Sequence, residues 1–214
     1  KNMRTVILDM LKHDIKIKNP YNWFKIPQAN TKEIYLDHEE LDAMRKLRSQ
    51  FSHSSTMYQV LQMYLFACYC GLRFSDVIDL KWKHIDFENK IIKKKMIKTK
   101  SEVITPLFTM ARAVVLELSD SKKLFGSSKN VFHRFAEPTV NKNLAKLTEM
   151  AGIEKHITYH SSRHTFATHL VQDKVDIFTI SKYLGHKSIE MTMRYLKYDL
   201  SIAVESAKEI KTFG

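Results

Sequence analysis

The sequence predicts a mainly α-helical domain carrying one small antiparallel sheet, an α+β fold. Three observations point to it. Only 5 Gly and 4 Pro occur in 214 residues, too little punctuation for a loop-rich chain. Most of the chain places apolar residues at helical spacing, framed by capping signals. One stretch instead sets two short strand-like runs on either side of a polar turn, the pattern of a hairpin. An apolar fraction of 44% supports a real core, and the length suits one sizeable domain with part of another.

Residues 1–18 read as a helix, with Val6, Ile7, Met10 and Leu11 on one stripe. The run Asn19-Pro-Tyr-Asn-Trp-Phe-Lys-Ile-Pro27 breaks it. Residues 1–18 are therefore expected as the end of a preceding domain, 19–33 as a linker, and 34–214 as the main domain. A chain that begins on Lys1 rather than Met is expected to be part of a longer protein. In the main domain, Asp37 is an N-cap and Glu40 completes a capping box. A long helix is predicted from Ser54 to Cys70, ended by Gly71 as a left-handed stop. A short helix follows near 75–80. Lys90–Ile97 and Glu102–Pro106 are the predicted strands, with Lys98-Thr-Lys-Ser101 as their turn. Helices are expected again at 107–118, 137–151, 160–172, 176–184 and 188–208, the last with Ser188 as its N-cap.

The chain carries 35 Lys and Arg against 23 Asp and Glu, a net charge of +12. Such a surface suits a polyanion such as nucleic acid. Cys68 and Cys70 are the two cysteines; i and i+2 on a helix point apart, so neither a bridge nor a shared metal is expected. Two thiols form no disulfide framework, which favours a reducing, intracellular compartment. No apolar run approaches the roughly 18 residues of a membrane span, and no signal peptide is visible.

Four constellations bear on chemistry. Gly71-Leu-Arg73-Phe-Ser-Asp76 puts an arginine on a tight turn, with Asp76 three residues on and able to brace it. The hairpin clusters Lys93, Lys94, Lys95, Lys98 and Lys100, and Lys98 sits at the turn. Tyr159-His160-Ser-Ser-Arg163-His164 puts an imidazole and a guanidinium on one helix face, a pairing suited to a phosphate. His160 and His164 also have the i, i+4 spacing of half a zinc motif, but the glutamate of that motif is replaced by Ser161. Last, Leu184-Gly185-His186 precedes Arg194-Tyr195. Taken alone, a tyrosine in such a helix is a packing residue.

Together and in this order, these pieces resemble the catalytic domain of tyrosine recombinases, the phage-integrase family. The resemblance covers roughly 34–208. It implies the tyrosine-recombinase catalytic-domain fold and a catalytic set of Arg73, Lys98, His160, Arg163, His186 and Tyr195, with Asp76 in support. Lys95 and Lys100 remain rivals of Lys98, and spacing from His186 favours Tyr195 over Tyr198. The implied reaction is site-specific DNA recombination. Tyr195 attacks a phosphodiester to form a 3′-phosphotyrosyl link, the two arginines hold the developing charge, His160 takes the phenolic proton, Lys98 protonates the leaving 5′-oxygen, and His186 binds the phosphate or braces the site. No cofactor or metal is implied. The implied partners are double-stranded DNA and three further copies of the chain on paired sites, the isolated chain being monomeric. Residues 199–210 are expected to pack on a neighbouring protomer, in the cytoplasm of a bacterium or on its nucleoid. The alternatives are type IB topoisomerase-like relaxation, a non-catalytic DNA-binding regulator on the same fold, and a metal-dependent nuclease.

Overall fold

The computed structural model describes residues 3–23, 33–119 and 125–196. The chain divides into two units, Lys1–Lys32 and Glu33–Gly214.

The first unit holds α1 (Met3–Lys12) and a 3-10 turn at Pro20–Asn22. The helix is shorter than the apolar pattern predicts. Asp14 takes a left-handed conformation (φ 55°) and Ile15 N–H bonds back to Met10 O at 3.2 Å. Asp is among the residues that tolerate this conformation, so the helix stops on it.

The second unit is built round α3 (Thr56–Cys70), which is apolar on nearly all faces and almost wholly buried. A helix of that kind belongs at the centre of a core. The Ser55 hydroxyl caps its start by accepting from Tyr58 N–H, and Gly71 ends it at φ 67°. Packed around it are α2 (His38–Lys46), α5 (Thr109–Glu117), α6 (Glu137–Met150) and α7 (Ser161–Gln172). The expected capping box of α2 is present: Asp37 and Glu40 each accept the other's backbone N–H at 2.9 Å.

After α3 come the short α4 (Phe74–Ile78) and an antiparallel sheet of β1 (Ile85–Asp86), β2 (Ile91–Lys95) and β3 (Glu102–Pro106), in that order. The two-residue β1 has no sequence signal of its own. In the β2–β3 register Ile92 faces Thr105 and Lys94 faces Val103. The alternation of β2 turns Ile92 and Lys94 inward and leaves Lys93 and Lys95 exposed. Buried Lys94 is satisfied by the Asp79 carboxylate at 2.7 Å and the Asp79 carbonyl at 3.1 Å.

The last elements among the described residues are α8 (Ile177–Leu184), which packs on β3 and α7, and α9 (Glu190–Met193). A second, smaller apolar cluster between α7 and α8 includes Phe166, Leu170, Ile180, Leu184 and Tyr195. The predicted helix 188–208 is corrected only over its described part, 188–196; the rest lies outside the described residues. The N-cap position is Ile189, not Ser188, and past Met193 the backbone tightens to an i, i+3 bond from Tyr195 N–H to Thr192 O at 3.0 Å. The expectations for residues 199–210 lie outside the described residues. Both cysteines are buried and free, and burial pushes their thiols up, out of reach of easy ionisation.

Candidate active site

The site is organised by Arg163, in the first turn of α7. Its side chain is 3% exposed. Nη1 donates to Gly71 O at 2.7 Å and Nη2 to Leu184 O at 2.5 Å. These carbonyls close α3 and α8, each ended by a left-handed glycine. Helix C-termini carry partial negative charge, so both ends favour a guanidinium. A side chain at either glycine would clash: a Cβ on Gly71 would lie 2.3 Å from Phe166, and one on Gly185 2.5 Å from Val103. The glycine signals and the His-x-x-Arg signal thus meet in one cluster. Burial, then the nearby Arg73 charge, push the Arg163 pKa down to about 9, which leaves it a cation at neutral pH.

Arg73 is the N-cap residue of α4, and its Nη1 is buried without a hydrogen-bond partner among the described residues. Asp76 is fully buried. The expectation that it supports Arg73 needs refinement: Asp76 reaches Arg73 through charge, but its Oδ1 accepts from Ile97 N–H at 2.8 Å. That bond pins the start of the 97–99 turn, where Lys98 stands. Lys98 lines the cleft. Lys95 lies on the exposed face of β2, and Lys100 takes left-handed backbone past the turn.

Tyr195 is 3% exposed, its ring set in the second apolar cluster. Its hydroxyl lies 3.1 Å from His164 Nδ1. The ring that meets the hydroxyl is therefore His164, not His160. His160, just ahead of α7, stands edge-on to His164 with ring centroids 4.7 Å apart. His164 Nε2 lies 2.8 Å from a Glu33 carboxylate oxygen, and the other Glu33 oxygen accepts from Arg194 Nη1 at 2.8 Å. His186 Nδ1 is 2.7 Å from the hydroxyl of buried Thr192. Burial pushes the Tyr195 phenol up to about 12, against the pull of Arg163. Burial and then neighbouring positive or imidazole groups push His164 and His186 down to about 3, and His160 downward in the same sense. All three rings are neutral at pH 7.

The six residues expected from the sequence, Arg73, Lys98, His160, Arg163, His186 and Tyr195, line one cleft of about 380 Å³. Sequence reasoning gave no role to Glu33, Arg194 or Thr192. His164 was visible only as the i+4 neighbour of His160. Among the described residues, no three His, Cys, Asp or Glu side chains gather to hold a metal ion, and no helix is long and apolar enough to cross a membrane.

A helical domain with a small sheet, a cleft lined by cationic side chains and a buried tyrosine at its wall define a class, and comparison identifies it. Residues 35–200 match the phage integrase family, and the chain belongs to that family. Among its relatives is a tyrosine recombinase of Pseudothermotoga lettingae, 32% identical over 191 residues, covering 85% of this chain and 63% of the relative. Another is the tyrosine recombinase XerC of Rickettsia bellii, 29% identical over 193 residues, covering 85% of this chain and 59% of the relative. The chain thus spans about 60% of the length of these relatives. The fold matches the crystal structure of XerA recombinase (TM-score 0.63, 23% identity, 96% of this chain and 73% of the other). It also matches the Tn1549 transposon integrase in complex with a circular intermediate DNA (TM-score 0.71, 17% identity, 95% and 76%).

Proposed function

We propose that this protein is a site-specific DNA recombinase of the tyrosine type, working through a 3′-phosphotyrosyl intermediate at Tyr195. The observation that carries this is the buried, unpartnered Nη1 of Arg73 beside Arg163 and Lys98 in the cleft that Tyr195 lines. A buried donor without a partner is costly; a phosphate oxygen supplies the missing acceptor. The phosphorane-like transition state carries extra negative charge, which fixed guanidinium donors stabilise without reorganising. Lys98, on a mobile stem, delivers a proton to the leaving 5′-oxygen. The energy of the broken bond is kept in the tyrosyl link, so a partner strand's 5′-hydroxyl reseals it without ATP.

The relatives are tyrosine recombinases, and the Tn1549 integrase is solved in complex with a circular intermediate DNA, which supports the same substrate here. The reading extends to an assembly of four copies on two DNA sites, to residues 1–18 as the C-terminal helix of a core-binding domain, and to a bacterial cytoplasm.

The test is a nicked duplex whose cleavage releases a short strand and traps the intermediate. The protein is expected to form a covalent adduct, undiminished by chelator and abolished in Tyr195→Phe. An adduct that persists in Tyr195→Phe, or is lost with chelator, overturns the assignment. Relaxation of supercoils with no recombinant product on paired sites would move the protein to the topoisomerase alternative.

A further inference from the structure

The group touching the Tyr195 hydroxyl has a built environment of its own. Glu33 comes from the extended segment ahead of α2, and that segment is tied to α7 at two further points. Leu36 N–H donates to Thr165 Oγ1 at 3.0 Å, and Leu36 O lies 2.9 Å from His169 Nε2. The strap is therefore in fixed register on the helix, and it delivers the Glu33 carboxylate to His164 Nε2 at 2.8 Å. An ionised carboxylate only accepts hydrogen bonds. The His164 proton consequently sits on Nε2, which leaves the Nδ1 lone pair facing the Tyr195 hydroxyl at 3.1 Å. Carboxylate, imidazole and hydroxyl in that order form the arrangement that activates a weak hydroxyl nucleophile.

We propose that His164, held in this tautomer by Glu33, takes the proton from Tyr195 during cleavage and returns it during rejoining, leaving His160 to the phosphate. The inference rests on the proposed function, because it needs Tyr195 as the nucleophile. In the cleavage step the Tyr195 Oη–H bond breaks and its proton moves to His164 Nδ1. The Oη–P bond forms, the P–O5′ bond breaks, and O5′ takes a proton from the Lys98 ammonium. The imidazolium so formed is stabilised by Glu33, in a place where Arg163 and Arg194 oppose it. Rejoining reverses each transfer. His164 touches the reacting oxygen; Glu33 is a positioning residue.

A nicked-duplex library with randomised flanks, captured covalently by the wild-type protein, supplies the DNA. Single-turnover adduct formation is then compared in wild type, His164→Asn, His160→Asn and Glu33→Gln. Each is made with tyrosine or with the more acidic 3-fluorotyrosine at position 195. His164→Asn is expected to slow the step by about 10²–10³-fold, and fluorination to recover about 10-fold of that, because a more acidic phenol depends less on a base. Glu33→Gln keeps an acceptor for Nε2 without its charge and is expected to lose about 10-fold, again with recovery. Fluorine rescue of His160→Asn instead of His164→Asn overturns the proposal, as does loss in His164→Asn with no rescue, the mark of a packing role. Spectra of ¹⁵N-histidine in the DNA-free protein are expected to place the His164 proton on Nε2, and a proton on Nδ1 overturns it too. Wild-type protein that forms no adduct on any duplex fails the nucleophile assignment itself, and the inference falls with it.

Discussion

Gly185 and Gly152 both hold left-handed backbone, with φ of 59° and 70°, in very different surroundings. A Cβ on Gly152 meets nothing within 4 Å, whereas one on Gly185 meets Val103 at 2.5 Å. Gly152→Ala is therefore expected to cost only the conformational penalty, about 1 kcal/mol. Gly185→Ala adds the clash and is expected to cost about 2–3 kcal/mol. Urea unfolding of the two variants checks this, and equal losses would refute it. The same contrast shows what a sequence carries at this scale. Gly71 and Gly185 were legible because a helix stop leaves a local pattern. The pairing of Glu33 with His164 was not, because 131 positions separate them and a lone glutamate ahead of a capping box has no signature. Thr192 under His186 was hidden likewise: a buried hydroxyl looks like any other threonine in a helix.

Between elements, the bond from Ile97 N–H to Asp76 ties α4 to the hairpin turn. The sequence offered Asp76 as a brace for Arg73 because the two are three residues apart; a backbone donor carries no residue identity, so the hairpin partner could not be read. If Asp76 acts by holding the turn, Asp76→Ala should slow cleavage by about 10²-fold through misplacement of Lys98. A substrate with sulfur in place of the bridging 5′-oxygen has a leaving group that needs no proton, and it should restore most of the rate. Single-turnover adduct formation on the two substrates measures this; equal losses on both would return Asp76 to a role at Arg73 alone. The hairpin and most helices were legible from periodicity. The described part of the last predicted helix, 188–196, was not, because its backbone tightens at Tyr195, whose ring is drawn into the cluster between α7 and α8.

Across the whole molecule, the histidines make stability depend on pH. His164 and His186 are held near 3, far below the ordinary value of 6.5, and burial lowers His160 and His169 as well. Below pH 6.5 the unfolded chain binds protons that the folded chain refuses, so stability falls as pH drops from 6.5 toward 3. Depressed carboxylates such as Asp37 and Asp79 add losses only near and below their own ordinary range. Between pH 7.5 and 5 the melting temperature is therefore expected to fall by on the order of 5–10 °C, with a shallower fall in His186→Asn. A melting temperature that is flat or rises toward pH 5 would contradict the burial of these rings as neutral groups.

The anchoring of Arg163 has one more consequence. Both of its anchors are carbonyl oxygens, which fix the guanidinium in place while leaving its formal charge uncancelled. Arg73 stands close enough to depress its pKa, and Asp76 is the buried carboxylate set against the pair. The folded chain thus holds two like charges close together, offset only in part by Asp76. On the proposed function, a phosphodiester entering the cleft would relieve that repulsion as it binds, making part of the attraction for DNA a tension already present in the folded chain.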